Sequence, residues 1–128
     1  MKNLIASFPN QLSEAVKIGK EADLAPNKTT IANIVITGLG GSGIGGSMIA
    51  EVLRNKLSVP VVVNKGYFLP EFVGENTLLI ACSYSGNTEE TLSAVAIGKE
   101  KNANIACITT GGNLLEIAKE NGYNHIIV

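Results

Sequence analysis

Short apolar runs alternate down this chain with segments of helical spacing, and that alternation limits the folds open to it more than any other feature. The runs occupy residues 31–37, 59–63, 78–82 and 103–109, with 125–128 opening a fifth. Several are apolar at successive positions rather than alternate ones, as in Ile34-Val35-Ile36 or Leu79-Ile80-Ala81. That pattern suits strands buried on both faces. Helical spacing returns at 48–57, 91–101 and 113–120. Strands joined by helices through short turns form a parallel sheet, because a crossover to a parallel neighbour is right-handed almost without exception. The expected architecture is an α/β three-layer sandwich: a five-stranded parallel sheet in the order 2-1-3-4-5, helices on both faces, one domain over residues 1–128. A further helix is expected over 4–24, where apolar residues recur at three- and four-residue steps, with Pro9 tolerated near its start.

In that strand order, strands one and three are neighbours at the point where the sheet reverses direction. Ligands bind open sheets outside the carboxyl ends of the strands at such a point. Strand one runs into Gly38-Leu39-Gly40-Gly41-Ser42-Gly43-Ile44-Gly45-Gly46-Ser47, and strand three into Ser83-Tyr84-Ser85-Gly86-Asn87-Thr88. The second stretch packs three hydroxyls and a glycine before a helix whose first amides lack intrahelical partners, which is an arrangement that favours an anion. The same residue types also serve as helix caps and turn formers with no ligand at all. Gly38, Gly40 and Gly43 match the spacing of a dinucleotide-binding turn, yet the next strand ends in Asn64-Lys65-Gly66, with no carboxylate to hold a ribose. A lysine there suits only an NADP-type phosphate. No Gly-Lys-Ser/Thr follows the glycines, so P-loop hydrolysis is disfavoured. Two anion-favouring loops at one crevice point to a phosphate-bearing ligand, and the hydroxyls favour a small sugar phosphate over a nucleotide.

The formal net charge is −1 and no block of Lys or Arg occurs, which argues against a nucleic-acid partner. No apolar run approaches the roughly 18 residues needed to span a bilayer, and residues 1–9 do not read as a signal peptide, so a cytoplasmic protein without a membrane partner is expected. Cys82 and Cys107 fall inside strand-like runs and read as core thiols, and Met48 reads as core packing. The aromatic connection over 66–73 either covers the core or lines the crevice. Glu89 and Glu90 suit the first turn of a helix, and the single histidine, His125, suits a strand end. No catalytic residue, metal ligand or cofactor site is assigned.

The glycine cluster at 38–43 and the run Ser83-Tyr84-Ser85-Gly86-Asn87-Thr88-Glu89-Glu90-Thr91 resemble the sugar isomerase (SIS) domain, which binds phosphosugars on a flavodoxin-like sheet. Lys65-Gly66-Tyr67-Phe68-Leu69-Pro70 and Thr110-Gly111-Gly112-Asn113-Leu114 are further similar to the amino-terminal domain of bifunctional phosphoglucose/phosphomannose isomerases. The resemblance implies that Ser83, Ser85 and Thr88 hold the phosphate of a phosphorylated hexose while Gly41 and Ser42 face its sugar end. It implies an aldose–ketose isomerisation through an enediolate, without a cofactor. The arginine, base glutamate, histidine and lysine that such isomerases take from later sequence have no counterpart here, so whether this chain is itself an enzyme stays open. The expectation is an amino-terminal half or truncated relative that binds but isomerises poorly, and that forms a homodimer or pairs with a second SIS domain. A non-catalytic phosphosugar sensor is the alternative, and an NADP-binding module the less favoured one.

Overall fold

The computed structural model describes residues 1–128. Its elements are α1 (Lys2–Glu21), β1 (Asn33–Thr37), α2 (Gly40–Leu53), β2 (Val61–Asn64), β3 (Thr77–Ser83), α3 (Glu89–Glu100), β4 (Asn104–Thr109), α4 (Gly112–Asn121) and β5 (Asn124–Ile127). All five strands are parallel, in the order β2-β1-β3-β4-β5. Ile36 pairs with Val63 on one side and Ile80 on the other, so β1 lies between β2 and β3 and its end stands beside that of β3. The expected α/β architecture and strand order are therefore those of the protein.

Side chains alternate across the sheet, and the two faces differ. On one face Val35, Leu79, Ala81, Ile105 and Cys107 are buried under Ala94 and Val95 of α3, Leu114 and Ala118 of α4, and Leu69 and Val73 of the connection after β2. The aromatic connection thus seals the core with its aliphatic residues, while Phe68 and Phe72 remain exposed. On the other face α2 lies over β1 and β2. A Cβ at Gly46 would fall 2.9 Å from Ile36 Cγ2, so this glycine sets how closely α2 approaches the sheet.

Several local expectations are corrected. The helix after β1 starts at Gly40 rather than at Met48, so most of the glycine cluster is helical. Glycine disfavours a helix by about 1 kcal/mol against alanine, and here close packing against β1 overrides that preference. Met48 is 64% exposed, on the side of α2 away from the sheet, and is not core. The helix α1 forms close to the expected span, but none of its residues is buried, and Leu4, Phe8, Leu12 and Val16 of its apolar stripe are exposed. Periodicity marks a helix, whereas the surface that covers it is a matter of tertiary structure. Cys107 is buried as expected, and Cys82, on the opposite face, is half-buried. No helix is long and apolar enough to cross a membrane.

The chain between α1 and β1 crosses the amino end of the sheet and is clipped there. Asn124 exchanges two 2.8 Å hydrogen bonds with the backbone of Ala25, and Asn104 Oδ1 accepts from the Lys28 N–H at 3.0 Å.

Candidate functional site

At the carboxyl end of β3 the chain turns through Tyr84–Asn87 before α3 begins. The Ser83 Oγ is buried and lies 2.8 Å from Thr88 Oγ1, and it also accepts the Gly86 N–H at 3.1 Å. Whichever hydroxyl of the pair donates to the other, one hydroxyl proton is left over for another acceptor. The exposed Ser85 Oγ accepts the Asn87 N–H at 3.2 Å. Thr88 stands at the N-cap of α3 without making a side-chain cap bond. Thus the capping reading of these hydroxyls does not describe them: they fold the turn instead.

The backbone amides of Ser85, Thr88, Glu89 and Glu90 make no hydrogen bond within the protein. These donors near the start of α3 are open, where the helix dipole adds partial positive charge. Glu89 and Glu90 occupy that first turn, as expected of acidic residues near a helix start. Glu89 Oε2 also accepts from the Tyr67 hydroxyl at 3.3 Å, and the charge of Glu90 foremost, then desolvation and Glu89, raises the Tyr67 phenol above its ordinary pKa.

The loop after β4 holds this turn in place, a feature that sequence reasoning missed. Thr110 donates to the Tyr84 carbonyl through both its N–H, at 3.1 Å, and its hydroxyl, at 2.6 Å. The Asn113 N–H donates to Asn87 Oδ1 at 3.0 Å, and the Leu114 N–H to the Gly86 carbonyl at 2.9 Å. Gly86 has φ +73°, and a Cβ there would lie 1.8 Å from the Gly111 carbonyl oxygen, so only glycine fits. The Gly111-Gly112 pair after β4 was the available signal of two loops in close contact.

Gly41 and Ser42 lie in the first turn of α2, at the end of β1, with Gly41 exposed and Ser42 half-buried. Because β1 and β3 are adjacent, the sheet brings Gly41 and Ser42 to the same end as Ser83, Ser85 and Thr88. His125 lies in β5, its Nδ1 3.0 Å from the Tyr123 carbonyl oxygen, consistent with a satisfied strand residue. Burial pushes the Cys82 thiol up to about 11, and burial followed by the Cys82 charge pushes Cys107 up to about 12, so neither is an activated nucleophile. A cavity of about 440 Å³ lies elsewhere, at the amino end of the sheet, lined by Lys28, Asn104 and Asn124 among others. The strap and its asparagine clips account for that hollow. The carboxyl end, with its open donors, remains the candidate site.

The family model described as the SIS domain matches residues 30–128, from just before β1 to the last residue. The chain belongs to the SIS domain family. This SIS domain is 46% identical over 124 residues to a bifunctional phosphoglucose/phosphomannose isomerase of Caldicellulosiruptor bescii, an alignment that covers 97% of the chain and 37% of that relative. It is 52% identical over 117 residues to a protein of the same name from Thermoplasma acidophilum, covering 89% and 37%. A D-glucosamine-6-phosphate 4-epimerase of Sulfolobus acidocaldarius is 41% identical over 99 residues, covering 77% and 31%. The chain thus spans about a third of the length of these relatives. Among solved structures, a candidate phosphosugar isomerase of Clostridium difficile 630 superposes with a TM-score of 0.67 at 26% identity, covering 93% of this chain and 33% of that one.

Proposed function

We propose that this SIS domain binds a phosphorylated hexose at the carboxyl ends of β1 and β3, as the sugar-phosphate-binding part of a longer aldose–ketose isomerase. The phosphate rests on Ser83, Ser85, Thr88 and the open amides of α3, and the sugar extends toward Gly41 and Ser42. The observation that carries this reading is the set of unpaired amides at Ser85, Thr88, Glu89 and Glu90 beside a hydroxyl pair with one proton to spare. Donors arranged in this way complement a phosphate dianion. The relatives' names agree on sugar phosphates and differ in the reaction, which fits a domain that binds the phosphosugar while catalytic groups vary.

In the isomerase reading the reaction interconverts glucose or mannose 6-phosphate with fructose 6-phosphate. That chemistry moves a proton between C1 and C2 and needs a base within hydrogen-bond reach of both carbons. Neither Glu89, which accepts from Tyr67, nor His125, out in β5, meets that need. The 128-residue chain alone is therefore expected to bind with little isomerisation, and the reading needs no cofactor. The half-covered sheet face supports pairing with a second copy or a second SIS domain.

An amide NMR titration of the chain with fructose 6-phosphate tests the site, with fructose and inorganic phosphate as controls. Saturable shifts at Ser42 and over Ser83 to Thr88, much weaker with fructose, are expected. The absence of shifts at millimolar ligand would overturn the reading for this chain.

A further inference from the structure

We infer that Lys65 is a ligand-binding residue of the same crevice, reaching over the start of α2 to hold the oxygen-rich end of the sugar farthest from the phosphate. The inference rests on the phosphate position proposed above and adds a charged contact at the opposite end of the ligand.

Lys65 directly follows β2, and the backbone on either side of it is tied to the end of β1. The Asn64 carbonyl accepts the Gly38 N–H at 3.2 Å. The Asn64 carboxamide donates to Thr37 Oγ1 at 3.2 Å and to the Gly66 carbonyl at 3.0 Å. From this anchored position the side chain leans inward. A Cβ at Gly43 would lie 3.5 Å from Lys65 Cε, so the lysine stem runs past the place where a side chain on α2 would stand. The stem therefore follows the glycine-rich turn rather than extending away from the protein.

Electrostatics makes this placement informative. The lysine is exposed and belongs to neither ion pair of the protein, which join Arg54 to Glu51 and Lys101 to Glu71. The first turn of α2 carries no acidic residue, and the start of a helix is partially positive. The ammonium group is thus exposed and without a carboxylate partner at this end of the sheet, free to meet an electron-rich ligand. The strand order supplies the direction: β2 is separated from β3 by β1, so their ends stand about 10 Å apart, two strand spacings. A hexose phosphate anchored on the turn after β3 and extended across β1 brings its C1–C2 end toward Lys65. A protonated amine there donates to hydroxyl or carbonyl oxygens, and donates more strongly to an anionic oxygen.

The test compares two acyclic ligands with the same phosphate: 6-phosphogluconate, which has a carboxylate at C1, and sorbitol 6-phosphate, which has a neutral hydroxymethyl group there. Both are titrated calorimetrically into the 128-residue chain at fixed ionic strength, with the shifts of Ser83 to Thr88 followed in parallel. The chain is expected to bind 6-phosphogluconate roughly five- to tenfold more tightly, as suits one charge-assisted bond at an exposed site. Lys65→Gln should abolish that preference while leaving sorbitol 6-phosphate affinity within about twofold, and Lys65→Arg should retain it. Equal affinities in the unsubstituted chain, or a preference that survives in Lys65→Gln, would overturn the inference. An equal loss for both ligands in Lys65→Gln would instead put the lysine on the phosphate and also overturn it. If neither ligand binds or shifts the turn after β3, the phosphate site itself fails and the inference falls with it.

Discussion

The two faces of the sheet use similar residues and have different surroundings. Leu79 and Ile105 on one face are buried under α3, α4 and the connection after β2. Leu78, Ile80, Ala106 and Ile108 of the same strands point to the other face and are only half-buried. Strand chemistry does not distinguish the two sets. Crossover direction does: β1 to β2 runs one way along the sheet and every later connection runs the other way, so α2 is the one crossover helix laid on the second face. On that side of the molecule α2 itself exposes Ile44, Met48, Ile49 and Val52. Exposed apolar residues grouped on one helix suit an interaction surface, and the proposed pairing with a second SIS domain or a second copy of the chain would use it.

Truncation on each face gives the largest contrast. Leu79→Ala, fully buried, should cost about 3 kcal/mol of unfolding free energy in urea titration, through lost transfer energy and a cavity. Ile80→Ala, half-buried, should cost about 1 kcal/mol. Equal losses would show that the second face is covered in solution and that the contrast between the faces vanishes there.

The two thiols report on the same contrast with a smaller effect. Unfolded cysteine ionises near pH 8.5, while Cys82 on the half-covered face and Cys107 on the covered one keep their protons up to about 11 and about 12. The folded chain therefore binds more protons above pH 8.5. The stability these thiols contribute is complete below about pH 8 and declines as pH rises past 8.5, by up to about 1.4 kcal/mol per thiol per pH unit. Chemical unfolding at pH 7.5 and 9.0 measures the decline, and Cys82→Ala should remove its share of it. In thiol labelling at pH 8 Cys82 should react before Cys107, and both more slowly than in urea. Labelling as fast as in the unfolded chain would contradict their burial.

The smallest change in stability is expected where the consequence for assembly is greatest. Ile49→Lys and Val52→Glu place charge on the exposed side of α2 and should shift monomer stability by less than about 0.5 kcal/mol. Sedimentation velocity should nonetheless show several-fold weaker self-association. A chain that remains monomeric at high micromolar concentration with and without these substitutions would remove the second copy as the occupant of that face.

Much of the candidate site could be read from residues in order. The hydroxyl-rich turn after β3 and the glycine cluster after β1 mark two anion-favouring loops, and strand alternation places them side by side. The brace from Thr110 and Asn113 could not be read this way, because Asn87 and Asn113 are 26 positions apart in the chain. Nor could the helical state of Gly40 to Ser47 be read from composition, because packing on β1 outweighs the intrinsic cost of glycine. The apolar stripe of α1 signalled the helix, and the structure leaves that stripe exposed.

The sequence alone determined most element types, the parallel sheet and which loops carry ligand-favouring groups, because apolar runs, helical period and open helix-start amides are set by near neighbours in the chain. Tertiary structure decided the rest: which sheet face is covered, how the loop after β4 steadies the turn after β3, and that Lys65 lies along α2 rather than away from it. Those features depend on backbone segments meeting at distances that no local pattern encodes.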